Sequence, residues 1–502
     1  MRQLTSLDAQ FLAMETPRTV GHVSGLAIMD PSTAADGTLT AATLTKLIAE
    51  RVHLVPPFRW RLATVPFGLD HPYWIEDPDF DLDFHIRETA VSPPGGDDQL
   101  AELTARICAR PLDRAHPLWE LYVIHGLQEG RVGLLTKVHH AAVDGMSGAE
   151  IMSILYDLEP EGRDIPADAA PSVGRHIPGQ LELLGRALVG LPRPLKSLSM
   201  IPSTLPRLDK LPVVGALPGA LAVSRIAMRV SKLGRGTADG GVLERTNVRA
   251  PKTRFNGKIT PHRRFAFASL PLDRIKAIKS AAEVTVNDTV VAICAGGLRA
   301  WLDERGELPA EPLVSMVPVS VRSREEQGTF GNRVSTMFVP IPTDEADPLR
   351  RLQRAHEILS SAKAQHRALP ADLLADASQF IPPALAARAA RVTSEILSSS
   401  RLAPLLNVVI SNVPGPREPL YCAGARLEHN YPVSVITDGV GLNITCLSYL
   451  DRVDFGIVVD RDMVDDAWSI MAAIERELEL VDEVVCGPRP VADPVADPVV
   501  QS

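Results

Sequence analysis

His139-His140-Ala141-Ala142-Val143-Asp144-Gly145 is the stretch on which the reading of this chain turns. The residues before it, Arg131 to Val138, form an apolar run of strand length with β-branched members. Those after it, Met146 to Tyr156, carry Ile151, Ile154 and Leu155 at helical spacing. Two histidines therefore stand where a buried strand ends and a turn begins. An aspartate follows four residues after His140, and a glycine comes next.

A neutral imidazole takes up a proton near neutral pH, so such a turn can carry acid–base chemistry. Asp144 can fix the turn or orient a ring, and Gly145 permits positive φ or close backbone approach. The same residues also describe two ordinary histidines at a strand end, with Asp144 capping the next helix. Seven residues leave both readings open. A metal site would need a third ligand. Neither His-Glu-x-x-His nor Cys-x-x-Cys spacing supplies one, so no metal is expected.

A chain of 502 residues suggests two or more domains, and 45% apolar content is enough for large cores. A net charge of −9 argues against a general nucleic-acid binder. The cysteines Cys108, Cys294, Cys422, Cys446 and Cys486 are few, odd in number and widely spaced. That fits a reducing cytosol and gives neither a disulfide framework nor a zinc knuckle. Charge and polar groups interrupt the first ten residues, and no run of 18 apolar residues occurs. Neither a secretory leader nor a membrane span is therefore expected. The tail repeats Val-Ala-Asp-Pro from Val491, which predicts disorder over 488–502.

Along the chain, strands are expected at His22–Met29 and Glu120–Ile124, the latter introduced by Pro117-Leu118-Trp119. Helices are expected over 40–53 and 98–109. Mixed strands and helices without strict alternation indicate an α/β, α+β layered unit over 1–165. Residues 166–243 form a proline-rich crossover. Within it, 181–236 carries nine basic residues against Glu182 and Asp209, with apolar residues between. Short amphipathic helices there can lie on an anionic lipid surface, or the charges can simply be solvated. A second layered unit spans 244–487. It has strands at Arg264–Leu270, Leu313–Val321, Val334–Ile341, Asn407–Ile410, Leu442–Leu450 and Val453–Val459. Its helices are expected at Leu272–Ala282, at Asp288–Leu302 capped by Asn287 or Asp288, and at Met463–Val481. Pro370–Ala390 reads as helix interrupted by Pro382-Pro383. Ser147 lacks a Gly-x-Ser-x-Gly elbow, and no phosphate-binding glycine loop is present.

Several separated segments agree with one family. His139–Gly145 matches its His-His-x-x-x-Asp-Gly motif, Pro117-Leu118-Trp119 its Pro-Leu-Trp block and Asn287-Asp288 its Asn-Asp block. Leu7–Leu12 followed by His22-Val23, Pro318–Arg322, Gly331-Asn332 and Ser411–Pro416 are similar to further blocks in the same order. On these residues the chain resembles the bacterial wax ester synthase/diacylglycerol acyltransferases, particularly the actinobacterial triacylglycerol synthases. The resemblance implies two lobes like chloramphenicol acetyltransferase, each a mixed sheet flanked by helices, with a tunnel at their interface. It implies transfer of a long-chain acyl group from acyl-CoA to diacylglycerol, or to a fatty alcohol, without a cofactor. His140 would be the general base and His139 a supporting residue. Asp144 and Gly145 would be structural, with Arg322 the candidate ion-pair partner of Asp144. Pro117, Leu118 and Trp119 would shape the acceptor side, and Asn287 would face the oxyanion. Peripheral contact with an anionic membrane or lipid body through 181–236, on the cytoplasmic side, is expected. The same motif occurs in condensation-like enzymes that use carrier-protein thioesters, but the Pro-Leu-Trp and Asn-Asp blocks favour the lipid enzymes. A lipid-binding protein without turnover is the third reading, and the intact motif argues against it.

Overall fold

Thr5 and Asp8 open the first helix, α1 (Ser6–Met14), with a capping box in which each side chain accepts the other's backbone N–H. The computed structural model describes residues 1–66, 69–143, 152, 154–166, 178–190, 249–320, 334–367 and 404–488. In its first half follow β1 (His22–Asp30), α2 (Ala41–Arg51), β2 (Ile86–Ala90), α3 (Asp97–Cys108), β3 (Trp119–His125), β4 (Val132–His139) and the short α4 (His140–Val143). The second half supplies β5 (Arg263–Pro271), α5 (Leu272–Ala281), α6 (Val286–Asp303), β6 (Leu313–Ser320), β7 (Val334–Ile341), α7 (Pro348–Arg367) and β8 (Val408–Val413). It ends with β9 (Tyr421–Cys422), β10 (Ala425–Val433), β11 (Leu442–Tyr449), β12 (Arg452–Asp460) and α8 (Ala467–Cys486).

These elements build two six-stranded mixed sheets, ordered β9-β10-β1-β4-β3-β2 and β7-β6-β8-β11-β12-β5. The fold is the expected α/β pair of lobes, but the first sheet borrows from the far end of the chain. Strand β10 runs antiparallel to β1, with Tyr431 opposite Leu26 and Val433 opposite Ser24. The division at 166–243 therefore follows chain order and not sheet membership.

Strand β4 shows why its first half, Val132–Leu135, is apolar on both faces. Val132, Leu134 and Val138 face one core with Trp119 and Met29, while Leu135 faces another with Leu26, Ala105, Phe265 and Tyr431. Alternate side chains of a strand leave from opposite faces, so a strand covered on both sides needs no polar face. That second core lies between the lobes. The apolar face of α3 covers the first sheet and also meets Phe265 and Phe267 of β5.

Several expectations shift by local chemistry. Helix α6 is capped by Thr285, not by Asn287 or Asp288, and Asp288 closes the capping box from inside the helix. Helix α8 begins at Ala467 rather than Met463, because Asp466 accepts the Trp468 N–H at 2.9 Å. Strands β2 and β10 were not expected. The expected helix over 146–156 lies largely outside the described residues, as do Pro370–Ala390 and most of the basic stretch, of which the helix Gln180–Gly190 is described. Among the described residues no single helix is long and apolar enough to cross a membrane.

Candidate active site

The strand–turn junction fixes the two histidines differently. His139 is the last residue of β4 and stands opposite His22 of β1. It is 1% exposed, and its backbone N–H donates to Leu118 O at 2.9 Å. Its Nδ1 accepts the Ala141 N–H at 3.0 Å, which leaves the ring proton on Nε2. That Nε2 lies 3.2 Å from Glu15 Oε1. Glu15 follows α1 and is gripped from two more sides. The Gly21 N–H donates to Oε1 at 2.7 Å, and the Arg114 Nη2 donates to Oε2 at 2.6 Å. Burial pushes the Glu15 carboxyl up, but His139, Arg114 and Gly21 outweigh it and hold it at about 2. Both nitrogens of His139 thus face protein groups.

His140 begins α4. Its backbone N–H donates to Gly21 O at 2.9 Å. Its ring stacks on Phe11 of α1, with centroids 4.3 Å apart and planes 8° from parallel. It is half-buried, in contrast to its neighbour. Gly21 serves both histidines, and it must be small. A Cβ there would stand 2.6 Å from His139 Nε2 and 3.1 Å from Glu15 Oε1.

The Pro-Leu-Trp block braces this corner from behind. Pro117 is buried, and Leu118 gives its carbonyl to His139. Trp119 is 1% exposed, sandwiched between His85 at 4.2 Å and Phe58 at 4.8 Å, and its Nε1 donates to Phe58 O at 2.8 Å. With both ring faces covered by protein, Trp119 packs the core, as Leu118 does. Asn287 is half-buried in the first turn of α6, in the other lobe. Its neighbour Asp288 is buried, accepts the Thr285 N–H at 3.0 Å and meets His356 Nδ1 at 2.7 Å. Asp144, Gly145 and Arg322 lie outside the described residues. The structure therefore gathers Leu118, His139 and His140 together with Phe11, Glu15, Gly21 and Arg114. Phe11 lay within a quoted motif; Glu15 and Arg114 carried no local signature.

Lys137, on the same face as His139, is buried. Its Nζ donates to Ile107 O at 3.3 Å and Arg110 O at 3.0 Å, and pairs with Glu120 Oε2 at 3.1 Å. A cation at those carbonyls caps the C-terminal end of α3. His22, also on that face, meets Cys108 O at 2.9 Å. Burial, and then the Lys137 charge, lower its pKa to about 3. His22 is thus neutral in the fold but takes a proton when unfolded below its ordinary value near 6.5. Its contribution is complete above pH 6.5 and is lost as pH falls toward 3. His85, lowered to about 4 by burial, acts in the same sense. Melting temperature is expected to fall from pH 7 to 4, less steeply in His22→Gln; equal slopes by scanning calorimetry would refute this.

Among the described residues no group of three or more His, Cys, Asp or Glu could hold a metal ion. Along the lobe junction open a groove of about 670 Å³, lined by Arg106, Arg264 and Trp468 among others, and one of about 480 Å³, lined by Ser269, His429 and Tyr431 among others. Neither is lined by His139 or His140.

Comparison with known proteins gives concordant results. Residues 4–290 match the family model of the wax ester synthase/diacylglycerol acyltransferase catalytic domain, and 330–482 match its C-terminal domain. A Mycobacterium tuberculosis protein named as a probable diacylglycerol O-acyltransferase is 35% identical over 483 residues, 95% of this chain and 98% of that one. The wax ester synthase/diacylglycerol acyltransferase from Marinobacter aquaeolei superposes with a TM-score of 0.67 at 28% identity, covering 97% of this chain and 100% of that one. The first condensation domain of the calcium-dependent antibiotic synthetase, at 17% identity and a TM-score of 0.52 over 99% of both chains, shares the fold.

Proposed function

Because this chain belongs to the wax ester synthase/diacylglycerol acyltransferase family, we propose that it moves a long-chain acyl group from acyl-CoA to diacylglycerol, with His140 as general base. One observation carries the choice of base. His139 is 1% exposed and packed inside the first lobe, whereas His140, the next residue, is half-buried. In this reading His140 takes the proton of the acceptor hydroxyl as its oxygen attacks the thioester carbonyl. The tetrahedral intermediate collapses, the C–S bond breaks, and the proton passes to the departing CoA thiolate. General-base catalysis of this kind is worth ~10²–10⁴-fold, and juxtaposing the two substrates supplies proximity without an acyl-enzyme. Donors for the oxyanion are still required, and Asn287 or a backbone amide is our candidate. Asp144 is assigned a structural pairing with Arg322. The basic stretch 181–236 is assigned peripheral contact with anionic lipid on the cytoplasmic side, where a diacylglycerol acceptor would be met.

The test is product analysis. Purified protein is given palmitoyl-CoA with dioleoylglycerol and hexadecanol side by side, and lipids and free thiol are measured. Triacylglycerol with an equal amount of thiol is expected. Wax ester alone would overturn the acceptor assignment. Turnover only with acyl-carrier protein would overturn the donor assignment.

A further inference from the structure

The loop between α1 and β1, residues 15–21, touches three things at once. At its start Glu15 meets His139 Nε2 at 3.2 Å. At its end Gly21 gives its N–H to Glu15 at 2.7 Å and its carbonyl to the His140 N–H at 2.9 Å. In its middle Arg18 reaches the other lobe. Arg263 Nη2 of β5 donates to Arg18 O, and the Arg18 guanidinium lies 3.9 Å from Asp438. The turn between is tied to itself. Thr16 Oγ1 accepts the N–H groups of Arg18 at 3.2 Å and Thr19 at 3.0 Å, and the Thr16 N–H donates to Thr19 O at 2.9 Å. Arg263 is buried and held in place by Thr260 O at 2.5 Å and His262 O at 3.1 Å.

A short, internally bonded loop with a fixed point at each end transmits position instead of absorbing it. We propose that residues 15–21 are a strut that sets the histidine turn from the second lobe, with Glu15 the positioning residue for His140 and Arg263 its anchor. Glu15 acts through His139 and through Gly21. It holds the imidazole whose Nδ1 accepts the Ala141 N–H, and it accepts the N–H of Gly21, the residue whose carbonyl accepts the His140 N–H. The inference rests on His140 being the base, and it extends that reading to residues that touch no substrate. It also explains why Phe11 and Glu15 belong to one segment. The strut begins in the helix whose Phe11 stacks on the His140 ring.

The test compares wild type, Glu15→Ala, Glu15→Gln, Arg263→Gln and the Glu15→Ala/Arg263→Gln double variant. Rates are taken per folded molecule with palmitoyl-CoA and dioleoylglycerol. Glu15→Ala is expected to lower kcat about 10²-fold, with KM for both substrates changed by less than about threefold. Glu15→Gln keeps an acceptor for Gly21 and His139 and should recover at least about tenfold of that loss. The double variant should be no slower than the slower single variant, because both break one strut. ¹⁵N-histidine spectra should show the His139 ring proton on Nε2 in wild type and a mixed signal in Glu15→Ala. An unchanged kcat in Glu15→Ala, or multiplicative losses in the double variant, would overturn the strut. If Glu15→Ala does not fold, Glu15→Gln and Arg263→Gln decide by the same kcat-against-KM split. A fully active His140→Ala would instead defeat the underlying reading.

Discussion

Replacing His140 with alanine is expected to slow acyl transfer about 10²–10⁴-fold while leaving the protein folded. The fold should survive because the backbone tether of this residue is kept. The N–H that donates to Gly21 O remains in the variant. What is lost is a half-buried ring lying on Phe11, a contact at the edge of the first lobe and outside its core. The measurement is free-thiol release from palmitoyl-CoA with dioleoylglycerol, alongside a melting curve. His139→Ala is the informative control. It removes a fully buried ring and leaves the Glu15 carboxylate, now held at about 2, without one of its partners. A cavity in place of a fully buried ring costs stability, so that variant should lose melting temperature and activity together. A His140→Ala protein that turns over like wild type would end the assignment of this residue as base.

How much of this was legible in the residues depends on how local each cause is. Strand β4 and its end at the histidine pair could be read because an apolar run and the two histidines are all within reach of one window. Strand β10 could not. Its sequence, Ala425-Arg-Leu-Glu-His-Asn-Tyr-Pro-Val433, mixes charge and proline, and its partner β1 lies some four hundred residues earlier in the chain. Tertiary pairing decided that segment against its own propensities. The cap of α6 was misplaced by two or three residues because Thr285, Asn287 and Asp288 are all good cap residues, and only the geometry shows which side chain accepts a free N–H of the first turn. The packing of Trp119 could not be read. Nothing in Pro117-Leu118-Trp119 announces that Phe58 and His85 cover both faces of the indole. Glu15 was missed because a lone carboxylate before Thr16-Pro17 acquires meaning only when Gly21, Arg114 and His139 converge on it.

The other large effect is expected far from the histidines, at Gly456. This residue sits in β12, opposite Thr445 of β11 and Phe267 of β5, in the middle of the second sheet. Across the junction it meets β10, the strand lent to the first sheet. A Cβ on Gly456 would stand 1.7 Å from Pro432 O and 2.9 Å from Pro432 C. Both sides of that contact are backbone in paired strands, so no side chain can swing aside to make room. Tyr431 and Val433, which flank Pro432, are themselves paired to Leu26 and Ser24. Gly456→Ala must therefore pry the two sheets apart or break one ladder. Overpacking of a rigid contact costs about 1–3 kcal/mol or more, and for a chain of this length the melting temperature should fall by roughly 1–3 °C or more. Gly185→Ala is the matched control. It lies in the helix Gln180–Gly190 with nothing within 4 Å of its Cβ, so it should be neutral or slightly stabilising. Because β10 fixes how the lobes face each other, the loss at Gly456 should extend to acyl transfer. Wild-type melting and activity in Gly456→Ala would mean that the two sheets do not touch at this crossing.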